Sequence, residues 1–391
     1  MITLETADSA LKTVYLGVIG NQLNTGANPL LTKIKHTTNN VYGNEIVKST
    51  SYGISGGVTA GGENDELPKA YNKNYAQFKT TLKNLYGTIE ISDKAIRCSQ
   101  NNAGAFVNLL NEEMDSLIKS SSFNLGRMLY GDGSGILATI NQETEIGDFE
   151  FSVDSVKNFA VNLACRLVNK AATTYATNYP NFIIKKVDKE NKKISTGLTI
   201  DIDLKDYRVA TINGLNNEIT GLGAIFGTGK TLYGLKRDDN TWMNPYKKDA
   251  VGTLTETAMQ RAIDEIEEVS GAQVDFITCS PAVRRAYQEC MSTYRRNVDV
   301  MDLQGGFKAI SYNGIPLVTD RFVNDDEMYL LTTKDFEMCQ LGEWQWLEGN
   351  DGKVIKQKDN YPVYTATLVK YAELICNRPN SQAKLSGIVG A

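Results

Sequence analysis

Apolar residues recur at helical spacing in four stretches of the chain. Over 8–23, Leu11, Val14, Tyr15, Val18 and Ile19 fall on one face, with Asp8 or Ser9 as the cap. That face is modest, so this arm is expected to pack on something else rather than stand alone. Over 103–130, Phe106, Leu110, Met114, Leu117, Ser121, Leu125 and Met128 repeat at steps of four or three. This predicts a helix roughly 39 Å long at ~1.5 Å per residue, stopped by Gly131-Asp-Gly-Ser-Gly135. Thr253-Leu-Thr-Glu256 reads as a capping box before a stripe of Met259, Ile263, Ile266 and Val269, with Gly271 as the end. Ser280-Pro281 opens the fourth helix, serine as cap and proline at the first helical position.

Between and after these helices the period changes to two. Residues 41–78 have alternating segments at each end, such as Glu45-Ile-Val-Lys-Ser-Thr50, and a middle carrying Gly53, Gly56, Gly57, Gly61 and Gly62. Acidic Glu63-Asn-Asp-Glu66 and then Lys69 follow. Two strands joined by a flexible tip are predicted. With almost no apolar residues to bury against its own domain, such a ribbon is either mobile or ordered by a partner. Further strands are predicted at 85–91, 182–184, 198–202, 207–212 and 274–277. Hairpins are expected over 307–320, turning at Asn313-Gly314, and at Asp351-Gly352 between 344–348 and 353–357. A last long strand covers 363–376. Residues 136–249 form a β-rich region, with an inserted domain as one reading. The overall class is α+β.

Composition narrows the function classes. Of 391 residues, 41% are hydrophobic and 22% charged, ordinary for a chain with a real core. The formal charge is −5 and no Lys/Arg block stands out, so the chain as a whole does not read as a nucleic-acid binder. The six cysteines contain no Cys-x-x-Cys pair and read as reduced, mostly buried thiols. The start has neither a basic region followed by an apolar run nor any membrane-length apolar segment. A soluble protein made in a cytoplasm is the expectation.

Candidate chemistry is sparse. Ala224-Ile-Phe-Gly-Thr-Gly-Lys-Thr231 misses the phosphate-loop pattern by one residue, with Ala224 in place of the first glycine. Its sequel, Leu232-Tyr-Gly-Leu, gives no helical start, so a glycine turn between strands is expected and nucleotide binding through Lys230 is a remote alternative. His36 is the single histidine. That nearly excludes a Ser–His–Asp triad or a histidine-rich metal site, and His36 itself reads as a solvated surface residue. Arg284, Arg285, Arg295 and Arg296 form two basic pairs, either solvated helix faces or inter-subunit ion pairs. No nucleophile, base and orienting group come together, so no catalytic, cofactor or metal site is assigned.

Three stretches resemble the major capsid proteins of tailed bacteriophages, of the Hong Kong 97 type. The first is Leu85-Tyr-Gly-Thr-Ile-Glu-Ile-Ser-Asp-Lys-Ala-Ile96, leading into Asn102-Ala-Gly-Ala-Phe-Val107 and Phe123-Asn-Leu-Gly-Arg-Met-Leu-Tyr-Gly-Asp-Gly133. The second is Gly305-Gly-Phe-Lys-Ala-Ile-Ser-Tyr-Asn-Gly-Ile-Pro-Leu-Val318. The third joins Trp346-Leu-Glu-Gly-Asn-Asp-Gly352 to Tyr364-Thr-Ala-Thr-Leu-Val-Lys-Tyr-Ala-Glu-Leu-Ile-Cys376. The order of elements matches as well.

The resemblance implies an N-terminal arm (1–44), an extended loop lying over a neighbouring subunit (45–84), and a peripheral domain with the spine helix (85–135) and return strands (340–376). It implies an axial domain (250–339), with the C-terminal segment (377–391) on it. The implied function is a shell subunit that assembles with itself into pentamers and hexamers around the genome, in the virion, after assembly in a bacterial cytoplasm. The implied partners are a separate scaffolding protein, since no helical scaffolding segment precedes the arm, and a portal. Double-stranded DNA is packaged without sequence-specific contact, and whether a decoration protein binds is left open. An encapsulin-like compartment that encloses enzymes is the alternative within the same fold. The inter-subunit contact candidates are Gly53, Gly56, Gly57, Gly61, Gly62, Glu63, Glu66 and Lys69 on the ribbon, with the four arginines. A shell without lysine–asparagine crosslinks is expected, although Lys48, Lys69 and Lys73 lie in or near the ribbon.

Overall fold

The computed structural model describes residues 8–389 apart from 9–10, 17–18, 20–21, 24–27, 54–56, 64–65, 68, 70–73, 95, 97–102, 143–149, 198, 200–202, 294–299 and 303–307. Of the residues singled out above, Ser9, Val18, Gly56, Lys73, Arg295 and Arg296 lie outside the described residues, as do one of the six cysteines, Cys98, and most of the strand expected at 198–202.

The organising element is the strand Val363–Cys376, fourteen residues rich in β-branched and aromatic side chains. Lys83–Ser92 pairs with it antiparallel in unbroken register, from Ser92 opposite Val363 to Lys83 opposite Ala372. Phe336–Gln340 pairs with its C-terminal end, and Gln345–Trp346 and Lys356–Gln357 pair farther along it. Lys35–Thr37 then adds parallel to Phe336–Gln340. Along Lys83–Ser92, Leu85, Ile89 and Ile91 are buried while Asn84, Tyr86, Thr88 and Glu90 are exposed, the period of two that the sequence carries. The helix Ala103–Tyr130 spans the range its spacing predicts and buries Leu110, Met114, Leu117, Leu125 and Leu129 in the same core. Gly87 sets its approach to the sheet, since a Cβ there would lie 2.7 Å from Leu117 Cδ1.

A second core lies under a seven-stranded sheet centred on Phe276–Cys279, which is parallel to Ile315–Thr319 and antiparallel to Met328–Leu331. The helices Glu256–Ser270 and Pro281–Thr293 supply Met259, Ile266, Val283 and Tyr287 to it. The hairpin turns at Asn313 and Gly314, both at positive φ (50° and 79°) as its residues demand. Ser280 Oγ caps the second of these helices by accepting from Val283 N at 3.0 Å. A third, smaller core sits between a four-stranded and a three-stranded sheet within 136–211 and contains Phe151, Leu167, Phe182 and Ile194.

Three expectations are corrected. The cap of Glu256–Ser270 is Thr255, whose side chain accepts from Ala258 N, and not Thr253. Thr253 is held extended by parallel pairing with Val389, so the capping box does not form. Val269 leaves the buried stripe and is 62% exposed. The runs flanking Asp351-Gly352 do not pair as strands with each other; each joins Val363–Cys376, and the turn is closed by Gly349 N to Lys353 O at 2.8 Å and Gly352 N to Gly349 O at 2.9 Å.

The C-terminal end of the long helix is fixed by two glycines. A Cβ on Gly221 would lie 2.3 Å from Met128 O and 2.5 Å from Leu129 O, and one on Gly223 would lie 2.8 Å from Gly131 C. Both obstacles are backbone, which cannot swing aside. Gly221→Ala is therefore expected to lower the stability of the folded subunit by at least about 2 kcal/mol, in the range of severe overpacking. Gly229→Ala, whose Cβ approaches nothing nearer than 3.7 Å, should stay within about 0.5 kcal/mol of wild type. Urea unfolding midpoints of the two variants check this, and equal midpoints would contradict the close approach.

Candidate functional site: the ribbon and its anchorage

The ribbon consists of Glu45–Tyr52 and Asn74–Thr81, paired antiparallel from Glu45 opposite Thr81 to Tyr52 opposite Asn74. Each strand has eight residues, or roughly 27 Å at ~3.4 Å per residue. Only Ile46 and Phe78, both near the base, are buried along it. Beyond Tyr52, Gly53 turns the chain at φ +73°. Gly61, Gly62, Glu63, Glu66 and Lys69 are exposed and Gly57 is half-buried. Glu66 and Lys69 form an exposed pair at 3.5 Å, which contributes little on its own. Two apolar residues depart from the expected polar tip: Val58 is 89% exposed and Leu67 85%.

The paired strands of the ribbon are clamped, at Phe78 and out to their last pair at Tyr52, by residues that sequence reasoning missed. Tyr52 stacks on Trp242 with ring centroids 5.2 Å apart, and Phe78 packs on Tyr233 at 5.3 Å and Trp242 at 5.9 Å. Lys79 N donates to Tyr233 O at 3.0 Å. Tyr233 Oη in turn donates to Leu374 O and accepts from Cys376 N, at 3.1 and 3.2 Å. The ribbon is thus tied through one tyrosine to the end of the long strand. Lys48 meets Glu337 at 2.5 Å on the same side. No local sequence pattern marks this clamp, whose members lie far apart along the chain.

The clamp is built by the segment that mimics a phosphate loop. Leu222–Ile225 is a single helical turn, and Thr231–Leu232 and Leu235–Lys236 form a small hairpin. The expected glycine turn therefore runs from a helical turn to a strand, not from strand to strand. Arg237 donates to the carbonyl oxygens of Ala224 and Ile225, each at 2.8 Å, and to that of Met243 at 3.0 Å. A phosphate cradle needs converging N–H groups; here carbonyls converge on a buried guanidinium, and Lys230 is exposed.

The arm packs on its own chain, as its modest apolar face suggests. Asp8, a candidate helix cap in the sequence, instead accepts from Val354 N and Ile355 N at 2.6 and 3.1 Å. Trp346 Nε1 donates to Leu11 O at 3.0 Å, and Leu11, Ile19 and Leu23 are buried. Farther on, Asn28 Nδ2 reaches Asp320 at 2.5 Å, beside Tyr130 at the end of the long helix and Thr278 of the second core. Burial pushes the Asp320 carboxyl up.

Two further buried charges link the layers. Arg127 forks onto Glu218 at 2.8 and 2.7 Å, with both side chains almost fully buried. Glu373 on the long strand accepts from Thr220 N at 2.7 Å and Leu374 N at 2.9 Å, and burial raises its carboxyl from 4.5 to about 7. His36 is corrected: it is half-buried on Lys35–Thr37, and desolvation together with the charge of Lys370 lowers it from 6.5 to about 4. Arg284 and Arg285 are exposed on their helix. Cys165, Cys279, Cys339 and Cys376 are buried free thiols and Cys290 is half-buried; burial pushes Cys165 and Cys279 up to about 12. Among the described residues no cluster of His, Cys, Asp and Glu could hold a metal ion, and no helix is long and apolar enough to cross a membrane.

No protein-family model matches the sequence, and no curated protein matches it. Solved structures do match it. The chain superposes on a protein of the cyanophage A-1(L) capsid asymmetric unit with a TM-score of 0.54 at 11% identity, covering 95% of this chain and 93% of that one. It also matches the capsid of Myoviridae phage XM1 (TM-score 0.45, 8% identity, 93% and 92% covered). A third match is the holo-SrpI encapsulin complex of Synechococcus elongatus (TM-score 0.47, 10% identity, 93% and 88% covered). The first, near-complete over both chains, fixes the fold: the chain has the α+β fold of a Hong Kong 97-like capsid protein.

The Glu373 carboxyl generates a pH prediction. Its folded value lies above its unfolded value, so the stability it contributes is fully present below about pH 4.5 and is lost as pH rises through about 7. Glu373→Gln, which keeps an acceptor for Thr220 N, should be more stable than wild type near pH 8, with the gap closing toward pH 4.5. His36 titrates in the opposite sense but is common to both proteins and cancels. Denaturant titrations of the unassembled subunit across this range check it; a gap independent of pH would contradict it.

Proposed function

We propose that this chain is the major capsid protein of a tailed bacteriophage, a structural subunit that closes with its own copies into an icosahedral shell around the genome. The observation that carries the proposal is the ribbon. Its paired strands are held by the contacts of Tyr52 and Phe78 with Tyr233 and Trp242, while the tip beyond Tyr52 presents Val58 and Leu67, 89% and 85% exposed, to solvent. A rigidly based projection with bare apolar residues suits a contact made in an assembly. The capsid fold supplies the geometry in which such contacts repeat.

On this reading the ribbon (45–84) lies over a neighbour. The core built on Val363–Cys376 and the long helix (85–135 with 340–376) is the peripheral domain. The second core (250–339) is the axial domain, meeting its copies around five-fold and six-fold axes in head-to-tail contacts that closed rings permit. Residues 377–391 belong with it; the pairing of Met328–Leu331 with Ala383–Leu385 supports this placement. The third core, with its own sheets, is an inserted domain within 136–249. Exposed Arg284 and Arg285 are candidates for ion pairs to a neighbour. Many weak contacts per subunit sum to a stable shell because each new contact in a closing ring is intramolecular.

The partners on this reading are further copies of the chain, a separate scaffolding protein, a portal and double-stranded DNA held without sequence-specific contact. A shell without lysine–asparagine crosslinks is favoured, since Lys48 on the ribbon is already engaged by Glu337. Electron microscopy of the purified chain, expressed alone and with a neighbouring scaffold gene, tests the proposal. Closed polyhedral shells or five- and six-fold rings are expected. A persistent monomer in both preparations would contradict it, and shells that enclose an enzyme in the source cell would move the reading to an encapsulin-like compartment.

A further inference from the structure

The third core carries the chain's densest run of positive charge. Lys185, Lys186, Lys189, Lys192 and Lys193 fall within nine residues, with Asp188 and Glu190, on a chain whose total charge is −5. The segment is the antiparallel pair Lys186–Asp188 and Lys193–Ser195, backed by Glu150–Ser152. Ile194 and Phe151 on the inner side are fully buried, so the lysines stand on a rigid base. All five are exposed, and none forms an ion pair among the described residues. The nearest carboxylate is engaged within the loop: Asp188 accepts from Glu190 N, Asn191 N and Asn191 Nδ2 at 2.9–3.1 Å. Lys192 is held at φ +51°, a left-handed conformation that favours glycine or asparagine.

Beside the lysines lie two bare apolar residues. Ile183 is 53% exposed and Val161 57%. Asn162 N donates to Ile184 O at 2.9 Å, which places Val161 alongside the strand leading into Lys185. In Phe182–Lys185 buried and exposed positions alternate, so Ile183 and Lys185 project on the same side. The patch therefore combines positive charge with a small apolar contact.

The ribbon tip has the complementary chemistry: Glu63 and Glu66 exposed, between Val58 and Leu67, both bare. We infer that the lysine hairpin 185–193, with Ile183 and Val161, is the docking surface for the acidic ribbon tip of a second copy of this chain. The inference rests on the shell-forming function proposed above and names one of its contacts. The carboxylates pair with lysine ammonium groups while Val58 and Leu67 cover Ile183 and Val161. Exposed pairs of this kind are screened beyond ~8 Å at physiological salt, so they govern the encounter and its register more than the final stability.

Charge exchange tests this. Assembly is followed by light scattering and electron microscopy for wild type, for Lys186→Glu/Lys189→Glu/Lys193→Glu, for Glu63→Lys/Glu66→Lys, and for the chain carrying both sets. Circular dichroism and thermal unfolding of each subunit confirm that the exposed substitutions leave the fold intact. Each single set is expected to slow assembly about tenfold or more, and the combined set to restore it at least in part. Carbodiimide coupling of mixed isotope-labelled and unlabelled copies should join peptides containing Lys185–Lys193 to peptides containing Glu63–Glu66 across two chains. Shells that form at the wild-type rate with the hairpin reversed would overturn the inference while leaving the shell reading intact. So would a hairpin variant whose only loss is retention of double-stranded DNA, which would assign the patch to nucleic acid. Failure of wild type to assemble at all would instead count against the shell reading.

Discussion

The rest of the molecule depends on the pairing of Val363–Cys376 along both of its edges. One edge takes ten consecutive partners from Lys83–Ser92, the strand onto which the ribbon continues. Where that edge is occupied, the other receives Gln345–Trp346 and Lys356–Gln357. A buried strand this long satisfies its backbone only if both neighbours stay in register, since a slip by one residue would turn every apolar side chain outward. The long helix, the arm and the second core are all positioned against that sheet: the helix over Gly87, the arm through Trp346, and the second core through the chain that leads from Met328–Leu331 into Phe336–Gln340.

That constraint explains how a projecting ribbon can have a fixed direction. Its two strands bury almost nothing of their own, so their orientation comes from the aromatic contacts at Phe78 and at the last pair, Tyr52. Tyr233 accepts and donates hydrogen bonds at the end of the long strand while packing on Phe78, and Trp242 stacks against Tyr52. Register in the central sheet is thereby passed to the base of the ribbon. Shape is fixed where the chain is buried, and the tip is left for a partner.

The parts of the fold legible in the sequence were those whose pattern is local. The helix 103–130, the strand 363–376 and the turn at Asn313-Gly314 follow from periodicity and glycine chemistry alone. Other expectations failed where a distant strand decided the outcome. Thr253 loses its capping role to pairing with Val389, and the runs around Asp351-Gly352 exchange each other for the long strand. The same holds for the site. The ribbon could be read from its glycines, whereas the clamp joins Phe78 to Tyr233, 155 positions away, and Tyr52 to Trp242, 190 positions away, which no local pattern reveals. His36 was misjudged for the same reason: its lysine- and threonine-rich neighbours in sequence gave no sign that a parallel pairing with Phe336–Gln340 would half-bury it.

The central claim is that the folded body is complete without the ribbon tip and that the tip serves assembly. Replacing residues 54–73 by a two-residue turn between the paired ends Tyr52 and Asn74 tests it most directly, with sedimentation velocity and thermal unfolding as the readouts. The account predicts a subunit that unfolds at the wild-type temperature and no longer forms shells. Shells of normal size from the shortened chain, or a subunit that fails to fold, would contradict it.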